Sequence, residues 1–254
     1  MRNMVVTLCV VGMGAAALAG TVEIDWLGHS CFSLHGEDLP TVVIDPYATY
    51  LPYPGLPKPA DIVLITHGHI DHCPYCFGQK DRVSGDPMIV FPFGPDRRVR
   101  EGRWKIGEAL VVQFVEAPHV TASGGGQGWV SMFAFDLAGV RFAHLGDVGQ
   151  PLTESQIEAL GPVDVLFLPV GGTYTIGPEE AVAVIEQLPT VRIAIPMHFF
   201  VEGYCPWPLA PVDDFVAAVG ATWPVHRIEG STAMITADTL PESVEIWVMP
   251  FAAE

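Results

Sequence analysis

Four metal-capable side chains fall within six residues at the end of an apolar run, Ile62-Val63-Leu64-Ile65-Thr66-His67-Gly68-His69-Ile70-Asp71-His72. The run reads as a buried strand, rich in β-branched residues, that stops at Thr66. Gly68 lets the chain bend so that His67 and His69 face one ion, and Asp71 and His72 lie one step further on, placed for a second. Imidazole nitrogen and carboxylate oxygen are the usual ligands of zinc, with manganese or iron also compatible. The rival reading is a polar loop with coincidental histidines. The preceding strand and the tight spacing argue against it.

The chain has 254 residues, 50% of them hydrophobic and only 16% charged, which raises the question of a membrane. Arg2, the apolar stretch Val5–Ala19 and the Ala17-x-Ala19 ending have the form of a secretory signal peptide cleaved before Gly20. No later segment is apolar for long enough to span a bilayer. We therefore expect a periplasmic or secreted protein with no stable membrane span after cleavage. Formal charge is −17, from 12 basic and 29 acidic side chains. Such a surface repels phosphate backbones, which excludes nucleic acid as a partner and points to a small-molecule substrate. The sequence leaves the oligomeric state open. Cys31, Cys73, Cys76 and Cys205 survive cleavage. For Cys73-Pro74-Tyr75-Cys76 a local disulfide ranks first, two free thiols second and a redox centre last.

Strand-like runs recur at Val22–Trp26, Thr41–Ile44, Asp61–Thr66, Met88–Phe93, Ala109–Glu116, Trp129–Leu137, Val140–His144, Val163–Val170, Val191–Pro196 and Val244–Met249. Several are almost continuously apolar, as in sheets covered on both faces. Helical signals lie between the later strands: a capping box at Thr153-Glu154-Ser155-Gln156, Pro178 at a helix start, and a short helix through Val212–Val219. Asp71 to about Gln79 reads as beginning helically, restricted to one turn by Pro74. The Pro-rich stretch 52–59 and the Gly-rich stretch 123–128 read as loops within one domain.

His119, Asp147 and His198 each follow an apolar run, so seven ligands occur in a defined order. With them, the chain resembles the metallo-β-lactamase superfamily over residues 21–250. Trp26-Leu27-Gly28-His29-Ser30-Cys31-Phe32, Ala143-His144-Leu145-Gly146-Asp147, Tyr174-Thr175-Ile176-Gly177-Pro178 and Ile195-Pro196-Met197-His198-Phe199 are similar to a narrower subgroup. That subgroup is the metal-dependent hydrolases related to the ascorbate-lactone hydrolase and to N-acylphosphatidylethanolamine phospholipase D. The resemblance implies an α/β fold, a four-layered αββα sandwich, for one hydrolase domain over 20–254 that follows the signal peptide read over 1–19; an export signal is unusual for that subgroup. It implies two divalent metal ions, zinc before manganese or iron. His67, His69 and His119 would hold one, Asp71, His72 and His198 the other, and Asp147 would bridge them. Asp45 would orient the ligand loop through hydrogen bonds. Val120 and Phe199 depart from the subgroup, whose members commonly carry a hydroxyl at both places.

Two dications a few ångströms apart lower the pKa of a shared water towards ~7. The expected activity is hydrolysis of a small ester, lactone, amide or phosphodiester by a dinuclear metal-bound hydroxide, with Asp71 relaying a proton. The alternatives are an iron-dependent oxidoreductase or sulfur dioxygenase on the same fold, and a non-catalytic metal-binding envelope protein. His29 and His144 read either as neighbours of the metals or as structural hydrogen-bonding residues.

Overall fold

The computed structural model describes residues 20–108 and 110–250; the segment read as a signal peptide lies outside them. β1 (Val22–Gly28) pairs antiparallel with β2 (Cys31–His35), and β2 with β3 (Val42–Ile44). β4 (Lys58–Pro59) precedes β5 (Ile62–Leu64), which runs parallel to β3. β6 (Val83–Ser84) pairs with β4 in a separate two-stranded ribbon, and β7 (Met88–Val90) lies parallel to β5. An antiparallel meander follows: β8 (Gly102–Ile106), β9 (Leu110–Val120), β10 (Gly126–Leu137) and β11 (Val140–His144). β12 (Val165–Pro169) and β13 (Ile193–Met197) then add in parallel, through crossovers containing α1 (Glu154–Leu160) and α2 (Pro178–Gln187). The chain closes with α3 (Val212–Val219), β14 (Val225–Arg227), β15 (Thr232–Ile235) and β16 (Glu245–Val248).

Two sheets result, of six strands (β15-β1-β2-β3-β5-β7) and eight (β14-β16-β13-β12-β11-β10-β9-β8). Alternation along each strand sends one set of side chains inward. From the six-stranded sheet these are Ile24, Trp26, Phe32, Leu34, Ile44 and Leu64, which join a core with Phe114, Phe133, Phe142 and Phe167 of the other. Phe32 and Phe167 meet across the interface at 4.3 Å between ring centroids. β12 and β13 are buried along their whole length, as central parallel strands require. Their crossover helices must lie on the face of that sheet turned away from its partner. α2 buries Ala181, Val184 and Ile185 there and packs beside α3, which buries Phe215 and Val219.

The expected αββα sandwich is therefore observed, with a difference in its outermost layer. Leu27, Cys31, Val43, Val63 and Ile65 face away from the partner sheet and are covered by Tyr47, Leu51, Tyr53, Leu56 and Cys73. Among the described residues this cover is loop plus the 3-10 turns Pro74–Phe77 and Lys80–Arg82, with no α-helix. Prolines 52, 54, 57, 59 and 74 deny the segment the amide hydrogens a helix needs. Cys73 and Cys76 form a disulfide within the first of these turns, and Cys31 and Cys205 are buried free thiols. Six strands have no counterpart among the runs expected from the sequence: β2, β4, β6, β8, β14 and β15. None of the described helices is long and apolar enough to cross a membrane.

Candidate metal centre

The side chains expected to bind metal follow the ends of strands along one edge of the sandwich. His67 to His72 follow β5, Asp147 follows β11, His198 follows β13, and His119 is the penultimate residue of β9. His29 and Asp45 occupy the equivalent places after β1 and β3. Three of these turns are tight: His29, Asp45 and His198 have φ of 54°, 45° and 52°. Left-handed backbone costs a residue with a Cβ roughly 1–2 kcal/mol, a strain that the surrounding structure must hold.

All seven expected residues converge. Asp147 Oδ2 lies 3.2 Å from Nε2 of both His72 and His198, and 3.7 Å from Nε2 of both His67 and His119. His67 Nε2 is 3.0 Å from His69 Nδ1. Asp71 Oδ2 is 3.5 Å from His72 Nε2 and 3.9 Å from His198 Nε2. A tetrahedral ion with ligands at roughly 2.1 Å separates those ligands by about 3.4 Å, so the spacings of 3.2–3.9 Å are compatible with shared metal ions. The proton positions point the same way. Thr66 gives its hydroxyl proton to Asp45 at 2.6 Å and therefore accepts from His67 Nδ1 at 3.0 Å, which leaves the His67 Nε2 lone pair facing the cluster. His72 Nδ1 donates to Asp45 Oδ2 at 2.7 Å, so its Nε2, buried and without a hydrogen-bond partner, also faces inward. Asp147 Oδ1 and both ring nitrogens of His119 are likewise buried and unpartnered. Unsatisfied polar atoms at this density are costly unless a cation supplies the missing partner. The residues fit a metal, and three groups of them have ligand atoms close enough to share one: His67, His69 and His119; His67, His72 and Asp147; and His29, Asp71, His72 and His198.

Electrostatics keep the donors in their binding forms. Burial pushes His67 well below the usual imidazole range and His119 down to about 4, so both are neutral. Burial alone would raise the Asp147 carboxyl, but His198 and His72 beside it hold it well below the carboxylate range. His72 moves the other way: desolvation opposes its charge, yet Asp147, Asp71 and Asp45 raise it well above 6.5. A metal at His72 therefore displaces a proton.

The two ambiguous histidines separate. His144 accepts from the Gly146 amide at 3.1 Å and donates through Nε2 to the Ser30 carbonyl at 3.0 Å, so both nitrogens are committed to structure. His29 Nε2 lies 3.0 Å from Asp71 Oδ2, and its carbonyl accepts the His198 amide at 3.1 Å. His29 thus ties Asp71 to the turn that presents His198. The Gly-His-Ser segment pointed to this role, but without the contact itself. Phe199, where a hydroxyl was missing, is buried with its ring 5.0 Å from Trp26. Beside the cluster is a cavity of about 420 Å³, walled by Ile70, Phe77, Tyr174 and Trp207 and lined by His69, Asp71, His119, Asp147 and His198. Phe77 and Gln127, which also lines it, carried no signal in the sequence.

Residues 23–198 match the family profile of the beta-lactamase superfamily domain. A UPF0173 metal-dependent hydrolase of Methanoculleus marisnigri is 32% identical over 190 residues, 70% of this chain and 81% of its own length. One of Thermococcus onnurineus is 30% identical over 217 residues, 78% of this chain and 92% of its own. Among solved structures, a protein of the metallo-β-lactamase superfamily from Thermotoga maritima superposes with a TM-score of 0.68 at 32% identity. The match covers 90% of this chain and 98% of that one. Fold, cluster and relatives together define a metal-dependent hydrolase of the metallo-β-lactamase fold. The chain belongs to the beta-lactamase superfamily.

Proposed function

We propose that this protein is an exported hydrolase with two metal ions, zinc in the first instance, that cleaves a small ester, lactone, amide or phosphodiester. The observation that carries the reading is the convergence of seven donors whose facing atoms stand 3.0–3.9 Å apart. His67, His69 and His119 would hold one ion, Asp71, His72 and His198 the other, with Asp147 between them. When bound, such a pair acidifies a shared water and polarises the scissile oxygen. The chain supplies the rest. Asp45 and Thr66 fix the tautomers of His72 and His67. His29 orients Asp71, which lines the cavity and is placed to pass a proton to a departing alcohol or amine. Export is supported by the Arg2 to Ala19 segment and by the Cys73–Cys76 disulfide, a bond that persists in oxidising compartments.

Elemental analysis with assays on esters, lactones and phosphodiesters tests the reading. Two zinc or manganese ions per chain, with turnover abolished in Asp71→Ala, are expected. Stoichiometric iron with oxygen uptake would overturn it. Mass spectrometry of protein recovered from the periplasm or medium, with Gly20 as its first residue, tests export.

A further inference from the structure

A second cavity, about 590 Å³, lies on the far side of His69 from the first. The two share only His69 and Gln127, so the half-buried His69 ring is a ridge between them. Each falls in the range of small-molecule sites, roughly 300–1,000 Å³. Both have aromatic walls, but their polar linings differ: Asp71, Asp147 and His198 line the first and not the second, in which Phe91, Phe93 and Trp129 stand beside His67. These aromatics form a built surface. Phe91 and Phe93 rings lie 4.9 Å apart, and Trp129 is held under the Arg98 guanidinium, 4.0 Å from its ring centre, which is itself paired with Glu116. Phe91 nevertheless leaves 42% of its surface exposed beside a candidate metal-binding histidine. No Lys or Arg lines the first cavity, and in the second Asp96 offsets Arg97.

We propose that the second cavity is the acyl subsite, that the first takes the leaving group, and that the substrate is an uncharged carboxylic ester or amide with a flat apolar acyl group. This rests on the hydrolase reading above and deepens it. The direction follows from proton balance. Hydrolysis breaks the bond from acyl carbon to oxygen or nitrogen, water supplies the hydroxyl to the acyl carbon, and the departing alcohol or amine takes a proton. Asp71, placed to pass that proton, lines only the first cavity, so the acyl side runs over His69 to Phe91 and Trp129. A phosphodiester would have to place its charge on the metal ions alone, because no Lys or Arg lines the first cavity.

The test uses the metal-loaded full chain, wild type and Phe91→Ala, an exposed truncation whose fold is checked by melting temperature. Two ester pairs are compared: p-nitrophenyl acetate against p-nitrophenyl phenylacetate, which vary the acyl group, and ethyl acetate against benzyl acetate, which vary the leaving group. Wild type should prefer the phenylacetate by about tenfold in kcat/KM, carried mainly by KM, and Phe91→Ala should abolish that preference. The ratio between the two acetates should stay within about twofold. A Phe91→Ala effect on the leaving-group pair instead would overturn the orientation. Binding of phenylacetohydroxamate and acetohydroxamate separates the subsite from turnover. Tighter binding of the phenyl compound by wild type alone supports the subsite, and equal affinities in wild type overturn it. Loss of all ester turnover with that binding difference intact would instead sink the hydrolase reading.

Discussion

Asp45 illustrates how one buried residue organises a site that it does not enter. It accepts the Thr66 amide at 2.7 Å, the Thr66 hydroxyl and the His72 ring, and so decides which nitrogen of two histidines faces the cluster. Asp45→Asn keeps the size and tolerates the left-handed backbone but turns a donor toward one of these partners. Metal affinity should fall about 10–100-fold, read by competition with a chromophoric chelator. The acid was legible through the family resemblance, which places an acidic residue after an early strand, and the seven clustered residues through their spacing and their places after apolar runs. His29 was legible only as a candidate, because its role depends on a contact across 42 residues and on a φ of 54°, neither of which residue type reveals.

Among the elements, the turns that follow strands are less tolerant than the helices. Gly149 donates its amide to the Pro118 carbonyl at 3.1 Å, and a Cβ on it would fall on the backbone of Val120, next to His119. Gly149→Ala should therefore cost about 1–3 kcal/mol or more and displace His119, measured by urea denaturation together with metal content. Thr153→Ala removes the cap of α1, where Thr153 and Gln156 bond reciprocally. Its cost should be about 1 kcal/mol with metal content unchanged. The start signals of α1, a capping box, and of α2, a proline in the first turn, could be read directly, since both are local to a few neighbouring residues. β8, β14 and β15 could not: they are short, and charged or exposed residues such as Arg103, Lys105, Arg227 and Met234 interrupt their apolar pattern. The helix-free cover of the six-stranded sheet was missed because its stability lies in packing under Tyr47 and Tyr53, not in any local period.

The whole molecule adds a pH dependence. Burial lowers His29 and His119 to about 4 and moves His67, His69 and His144 in the same direction. A histidine whose folded pKa is lowered binds fewer protons than the unfolded chain, so its contribution to stability falls as pH drops below 6.5 towards the folded value. His72, raised, contributes its stability below 6.5 and loses it only at higher pH, so it does not oppose this window. Ordinary carboxylates titrate near 4, leaving the histidines dominant above about pH 5. In chelator, the urea midpoint should decline from pH 6.5 to 5; a flat profile would show that these histidines do not resist protonation.

The order of strands along the chain has a further consequence, for time rather than space. β1, near residue 22, finds its outer neighbour only in β15, with Val22 opposite Ile235, and the cluster that begins at His67 is complete only with His198. Such long-range closure is slow, and we expect the metal cluster to be completed after the folding transition state. Metal capture must then come after most of the chain has found its place. Added metal should leave the refolding rate unchanged while slowing unfolding, as stopped-flow fluorescence would register. During synthesis the ribosome releases His67, His69 and His72 long before His119, Asp147 and His198, so the nascent protein spends that interval with an incomplete chelate.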